Sequence, residues 1–180
     1  LDGIVIETTG LADPAPVAQT FFVDDMVSSF ARLDGIITLV DAKHIEQHLD
    51  KEVPEGVENE AVEQVAFADR VLLNKTDLVT EDDIVRIEKR IASMNSAAKI
   101  MRCTKAEVSV DSVLNIGAFD LERVVEMDPE FLNTDGEHEH DTTVSSVSIT
   151  NDGALDLGQI EKGIGELLRT KGADIYRMKG

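Results

Sequence analysis

Positive charge is scarce in this chain. Its 180 residues hold 17 Lys and Arg against 36 Asp and Glu, a formal charge of −19. Non-specific affinity for nucleic acid comes from neutralising phosphates with Lys and Arg, so nucleic acid is not an expected partner. No basic juxtamembrane cluster is present to attract anionic lipid. No apolar run approaches the ~18 residues that would suggest a membrane span. A single cysteine, Cys103, excludes an intramolecular disulfide framework or a zinc ribbon within these residues. A reducing compartment is the matching expectation, with the cytoplasm as the first choice and an organelle left open. An initiator Met and a signal-peptide pattern are missing too. The apolar fraction is nevertheless 42%, in the globular range, so the acidity does not imply a disordered chain.

The run Ile4-Val5-Ile6, followed by Glu7, reads as a buried parallel strand. A parallel strand needs crossover-connected neighbours, so the expectation is a chain that begins inside a domain. Residues 35–40 give a second buried strand, ended by Asp41. Residues 70–73 give a third, ended by Asn74, and residues 99–102 a weaker fourth. Helical patterns lie between them. Residues 58–68 place Ala61, Val65 and Ala68 on one face. Thr80 is a candidate N-cap with Asp83 three residues on, and Ile84, Ile87, Ile91 and Met94 then recur at helical spacing. This alternation predicts an α/β fold with a parallel sheet and flanking helices.

The pattern breaks over residues 128–141, which are acidic, carry Pro129, Gly136, His138 and His140, and read as an exposed linker. Beyond it, Val144, Val147 and Ile149 predict a strand, and Asn151-Asp152-Gly153 a turn. Ile160, Ile164, Leu167 and Leu168 predict a helix face, and residues 173–178 a returning strand. A β-α-β piece of roughly 40 residues is near the lower limit for independent folding and belongs to a second, smaller α+β domain. The expected divisions are 1–127, 128–141 and 142–180.

Chemistry concentrates at strand ends. Asn74-Lys75-Thr76-Asp77 follows the apolar Val71-Leu72-Leu73, and the carboxyl edge of an open α/β sheet is where ligands bind. The residue types suit guanine. An Asp carboxylate accepts from the ring N–H and the exocyclic amine, a donor pair adenine lacks. Asn serves the other base edge and neighbouring loops, and the Lys stem covers the flat ring. A polar turn without a ligand is the alternative, and the placement after an apolar strand favours the ligand. Similarly, Glu7 ends an apolar run and Gly10 follows three residues later. In phosphate-hydrolysing folds such a carboxylate sits near Mg²⁺, usually through water, and such a glycine lets its N–H approach a γ-phosphate.

Together these segments resemble a family. Residues 7–14, Glu-Thr-Thr-Gly-Leu-Ala-Asp-Pro, are similar to the extended Walker B motif of the CobW-type metallochaperone GTPases, P-loop proteins of the SIMIBI class. Residues 34–42, 64–70 and 73–78 continue the match in unbroken order. The stretch from His138 to Gly180 resembles the start of that family's C-terminal domain. The resemblance implies the C-terminal part of a P-loop GTPase sheet, GTP and Mg²⁺ as cofactors, and delivery of zinc, or of cobalt or iron, to a client metalloprotein. It implies Glu7 and Gly10 at the phosphates, and Asn74, Lys75 and Asp77 at the base. Cys103 and Thr104 fall where related GTPases close over the base with backbone N–H groups; Cys103 equally suits a small buried position. The family's phosphate loop, G-x-x-x-x-G-K-[ST], and its Cys-x-Cys-Cys metal motif do not occur in these 180 residues. Without that loop the phosphates have no cradle, so these residues by themselves are not expected to hydrolyse GTP.

Metal candidates are fewer. His44 and His48 are four apart, on one face of an expected helix, but zinc usually needs a third or fourth ligand, and two partly exposed helix residues is the preferred reading. His138 and His140, among carboxylates, suit loose metal capture as well as a solvated tether. Two other functions stay open: a P-loop GTPase of another cofactor-insertion class, and an acidic interaction module without nucleotide.

Overall fold

The computed structural model describes residues 3–10, 12–53, 59–133, 147, 149, 153–172, 175 and 178. The chain divides into two units, Leu1–Asp141 and Thr142–Gly180. In the first, a parallel sheet in the order β1-β2-β3 is formed by β1 (Ile37–Asp41), β2 (Arg70–Asn74) and β3 (Lys99–Arg102). The crossovers hold α3 (Ile45–Leu49) and α4 (Glu60–Ala66), then α5 (Glu81–Met94). Ahead of β1 lie α1 (Ala15–Val23) and α2 (Asp25–Phe30), and α6 (Leu121–Met127) follows β3. The expected α/β alternation is therefore present.

Period-two alternation sorts the sheet's faces. Val40, Val71 and Leu73 point to one side, where Ile45, Leu49, Val65, Ile84, Ile87 and Ile91 cover them. β2, central in the sheet, is buried over its last four residues. β1 is not buried on both sides: Leu39 is 58% exposed. A second core gathers around Ile36 and Phe67, just ahead of β1 and β2, with Ala15, Ala18, Phe22, Phe119 and Val124. Phe131, which falls in the stretch read as an exposed linker, is buried in that core and meets Phe67 at 6.1 Å between ring centroids. One aromatic residue suffices here, because its large apolar area outweighs its polar neighbours.

The predicted first strand is overturned. Ile4, Val5 and Ile6 are 61%, 80% and 55% exposed and lie in no strand. Among the described residues no backbone hydrogen bond joins 3–8 to the sheet. β-branched residues favour a strand only where a partner supplies the ladder and the cover.

α5 starts as its sequence requires. The Thr80 hydroxyl accepts from the Asp83 N–H, and the Asp83 carboxylate accepts from the Thr80 N–H at 3.1 Å, a complete capping box. Bidentate pairs from Arg86 to Glu46 and from Arg90 to Asp50 fasten α5 beside α3, and Arg102 of β3 reaches Glu81 and Glu88. Asp69 is bolted between elements: Oδ2 accepts from the Ile36 N–H at 2.8 Å, and Oδ1 accepts from Arg123 of α6. Burial pushes this carboxyl up, and these two bonds oppose that.

In the second unit α7 (Leu157–Lys171) forms as predicted, with the Asp156 carboxylate accepting from the Gln159 N–H. None of its residues is buried. Val147 and Ile149, assigned to a strand by the sequence, are exposed and in no strand; Val144 and most of the returning strand lie outside the described residues.

Candidate functional site

Asp41 and Asn74 are register partners at the carboxyl ends of β1 and β2, and the Ala42 N–H donates to the Asn74 carbonyl at 2.9 Å. Both residues thus stand on the ligand-binding edge of the sheet. β2 stops there because Lys75 takes left-handed backbone, φ 61°, at a cost of roughly 1 kcal/mol for a residue with a Cβ. Thr76–Leu78 follows as a single 3-10 turn. Non-glycine residues are held in such a conformation only where their surroundings over-determine it, and such places cluster at functional sites.

Those surroundings are visible. The buried Asn74 directs Oδ1 at the loop after β3, accepting from the Ala106 N–H at 2.9 Å and from the Cys103 thiol at 3.7 Å. The Thr76 hydroxyl donates to the Cys103 carbonyl at 3.1 Å, and the Cys103 N–H donates to the Leu73 carbonyl at 2.9 Å. Lys105 and Ala106 are left-handed as well, at φ 54° and 56°. The two strand exits are therefore clasped into one rigid rim. Cys103 is 6% exposed, and burial pushes its thiol up, so it serves as a packed donor and not as a thiolate. Thr104 is half-buried beside Thr76, 3.5 Å between hydroxyls.

Lys75 does not wave free. Its Nζ donates to Asp41 Oδ2 at 2.7 Å; the same oxygen meets His44 Nδ1 at 3.0 Å, and Oδ1 accepts from the Lys43 N–H at 2.9 Å. Burial works against the charge on Asp41, but the His44, Lys75 and Lys43 hydrogen bonds outweigh it and hold the carboxyl down at about 2. Asp77 is exposed on the 3-10 turn.

Glu7 and Gly10 lie on a separate, exposed segment. The space where a Cβ would stand on Gly10 is open, with nothing within 4 Å. The segment is tied down beyond Gly10: Gln64 Nε2 of α4 donates to the Ala12 carbonyl at 2.8 Å, and the Thr38 hydroxyl of β1 donates to the Gln64 carbonyl at 2.6 Å. Among the described residues no hydrogen bond or ion pair joins Glu7 or Gly10 to Asn74, Lys75 or Asp77. The structure thus brings Asn74, Lys75, Cys103 and Thr104 together around one rim, with Asp77 on the turn beside it.

The histidines of the expected helix separate in role. His44 stands at the N-cap of α3, outside the helix, with its ring on Asp41, and His48 lies in the last turn. Among the described residues no group of three His, Cys, Asp or Glu is arranged to hold a metal ion. His138 and His140 lie outside the described residues. Sequence reasoning missed Asp41 and Gln64 as parts of the site. Asp41 had a readable signal, a carboxylate at the end of a strand on the ligand edge; Gln64 had none, because its contact spans 52 residues of sequence.

Comparison with known proteins identifies the family and the fold. Residues 1–102 match the CobW/HypB/UreG nucleotide-binding domain. The chain is 32% identical over 180 residues to the zinc chaperone YjiA of Escherichia coli, an alignment spanning 99% of this chain and 53% of that protein. It is 39% identical over 119 residues to zinc-regulated GTPase metalloprotein activator 1 of Schizosaccharomyces pombe, covering 66% of this chain and 28% of that one. Among solved structures, the Zn(II)-bound YjiA GTPase from E. coli superposes with a TM-score of 0.53 at 25% identity, over 90% of this chain and 48% of that one. The chain therefore spans about half the length of YjiA, and less of the yeast protein.

Proposed function

The chain belongs to the CobW/HypB/UreG nucleotide-binding family, and we propose that it serves in a protein that binds and hydrolyses GTP and hands zinc to a client metalloprotein. The observation that carries this reading is the rim around Asn74-Lys75-Thr76-Asp77. It is rigid where a base would lie and presents an exposed carboxylate beside it. Guanine fits these residues: Asp77 accepts from the ring N–H and the amine, and Lys75 offers its stem to the ring face. At the other end Glu7 suits Mg²⁺, which takes one or two carboxylates, keeps several waters and completes its shell with phosphate oxygens. Bound there, Mg²⁺ would neutralise phosphate charge. Gly10 leaves its N–H open to close approach.

Zinc enters as cargo, with cobalt or iron as other candidates. His138 and His140, among carboxylates, are the proposed capture ligands, since neutral imidazole is a good zinc donor. Among the described residues no helix is long and apolar enough to cross a membrane. The proposed place of action is the cytoplasm. The test is calorimetric titration of the complete protein with GTP and ATP, alongside the Asp77→Asn variant. Preference for GTP that is lost in the variant supports the reading; equal affinity for the two nucleotides would sink it.

A further inference from the structure

Asp41, at the sheet's carboxyl edge, has both carboxylate oxygens engaged, Oδ1 by the Lys43 N–H and Oδ2 by His44 and Lys75. Its position is set from three directions. The β1–β2 register puts it directly beside Asn74. The Lys43 N–H holds Oδ1 at 2.9 Å, and His44 Nδ1 holds Oδ2 at 3.0 Å. Lys75 then comes to this fixed carboxylate at 2.7 Å, from a left-handed backbone position.

The pair is a poor device for stability. The Lys75 side chain is 47% exposed and that of Asp41 29%, and ion pairs so exposed contribute little to folding. Its effect lies in order. A lysine stem has four rotatable bonds, and packing on a flat ring freezes them. Where Asp41 already holds the ammonium, that loss is incurred before a ligand arrives, and pre-ordering of this kind appears as affinity.

From this geometry we infer that Asp41 is a positioning residue for nucleotide binding, holding the Lys75 stem across the rim as the platform on which the base lies. The inference rests on the guanine reading above. Asp41 touches no ligand atom; it acts through Lys75. Its effect on nucleotide affinity therefore depends on Lys75 having an ammonium to anchor. Lys75→Met keeps an apolar stem and removes that ammonium.

The experiment is a double-mutant cycle on GDP affinity in the complete protein, by calorimetry, with Asp41→Asn, Lys75→Met and both together. Each single variant should weaken GDP by about 3- to 10-fold, and the double variant should be no weaker than the weaker single. Asp41→Glu, which keeps the charge, should recover part of the loss. Nucleotide-free melting of Asp41→Asn reports the stability its Lys43, His44 and Lys75 contacts supply, so the positioning role is read from the coupling on GDP affinity and the rescue by Asp41→Glu. Additive losses in the double variant, or no recovery in Asp41→Glu, would overturn the positioning role. Asp77→Asn is measured in the same series. If it binds GDP as tightly as wild type, the guanine reading falls and the inference falls with it. If Asp77→Asn is weak and Asp41→Asn is not, the inference alone falls.

Discussion

Among the described residues no side-chain hydrogen bond or ion pair ties Asp77 to the fold: it is exposed, on a 3-10 turn, just past a strand end. A carboxylate there is best explained by what it accepts. Replacing Asp77 by Asn keeps the shape and converts one acceptor into a donor. Loss of charge-assisted bonds to guanine costs on the order of 1.5–3 kcal/mol, so GTP affinity should fall by about 10- to 100-fold. Xanthosine triphosphate, whose extra ring carbonyl needs a donor, should gain in competition titrations. Asn95 shows the opposite case, a polar residue used wholly by the fold. It is 8% exposed, and Nδ2 donates to the carbonyls of Val65, Ala66 and Ala68 at 2.9, 2.8 and 2.8 Å, while Oδ1 accepts from the N–H groups of Ala97 and Ala98. Asn95→Asp would turn a donor into an acceptor facing three carbonyls, with a charge that burial disfavours. Destabilisation of about 3 kcal/mol or more is expected, read as a fall in the urea midpoint at unchanged slope. The Asp77 role is an expectation read from its motif, whereas the Asn95 role does not distinguish itself in the sequence. Asn74 was legible because it follows an apolar strand within a short motif, whereas Asn95 acts on carbonyls 27 to 30 residues away.

Elements were legible in proportion to how local their causes are. The α5 capping box is written within four residues, and it forms as read. Thr80→Ala should cost about 1 kcal/mol, seen as a melting temperature lower by roughly 2–4 °C. The Asp83 half of the box depends on pH. The Thr80 hydroxyl, the Thr80 N–H and Arg86 hold its carboxyl down at about 2, against ~3.9 in an unfolded chain. A depressed carboxyl stabilises fully above the unfolded value and loses that contribution as pH falls through the folded one. The gap in melting temperature between wild type and Asp83→Asn should be complete at neutral pH and close between pH ~4 and ~2. A gap that persists at pH ~2 would show that the hydrogen bonds do not depend on the charge. Ile4-Val5-Ile6 and Phe131 mark the limit of such reading. The first has strand-like residues without a ladder, and the second is one buried ring in a polar stretch. In both, the outcome depends on which distant surface is present, which a local pattern does not contain.

At the scale of the molecule, the two ends of the candidate site are built differently. The Asn74 rim is locked by strand register and by side chains of two loops. The Glu7–Gly10 segment is exposed, with its neighbour Ala12 held by Gln64. This contrast separates stability from function in a way that can be measured. Among the described residues, 3–8 form no strand and Glu7 is exposed, so Glu7→Gln removes a charge without disturbing described packing or a ladder. Nucleotide-free melting of the complete protein should therefore be unchanged. GTP turnover should fall by 10-fold or more, since electrostatic groups at phosphoryl-transfer sites carry at least that weight. Added Mg²⁺ should recover part of the lost rate if the carboxylate helps to hold the ion, because a weaker site can be refilled by mass action. Normal turnover together with a lowered nucleotide-free melting temperature would show instead that Glu7 is a structural residue, and that the phosphate end of the site lies elsewhere.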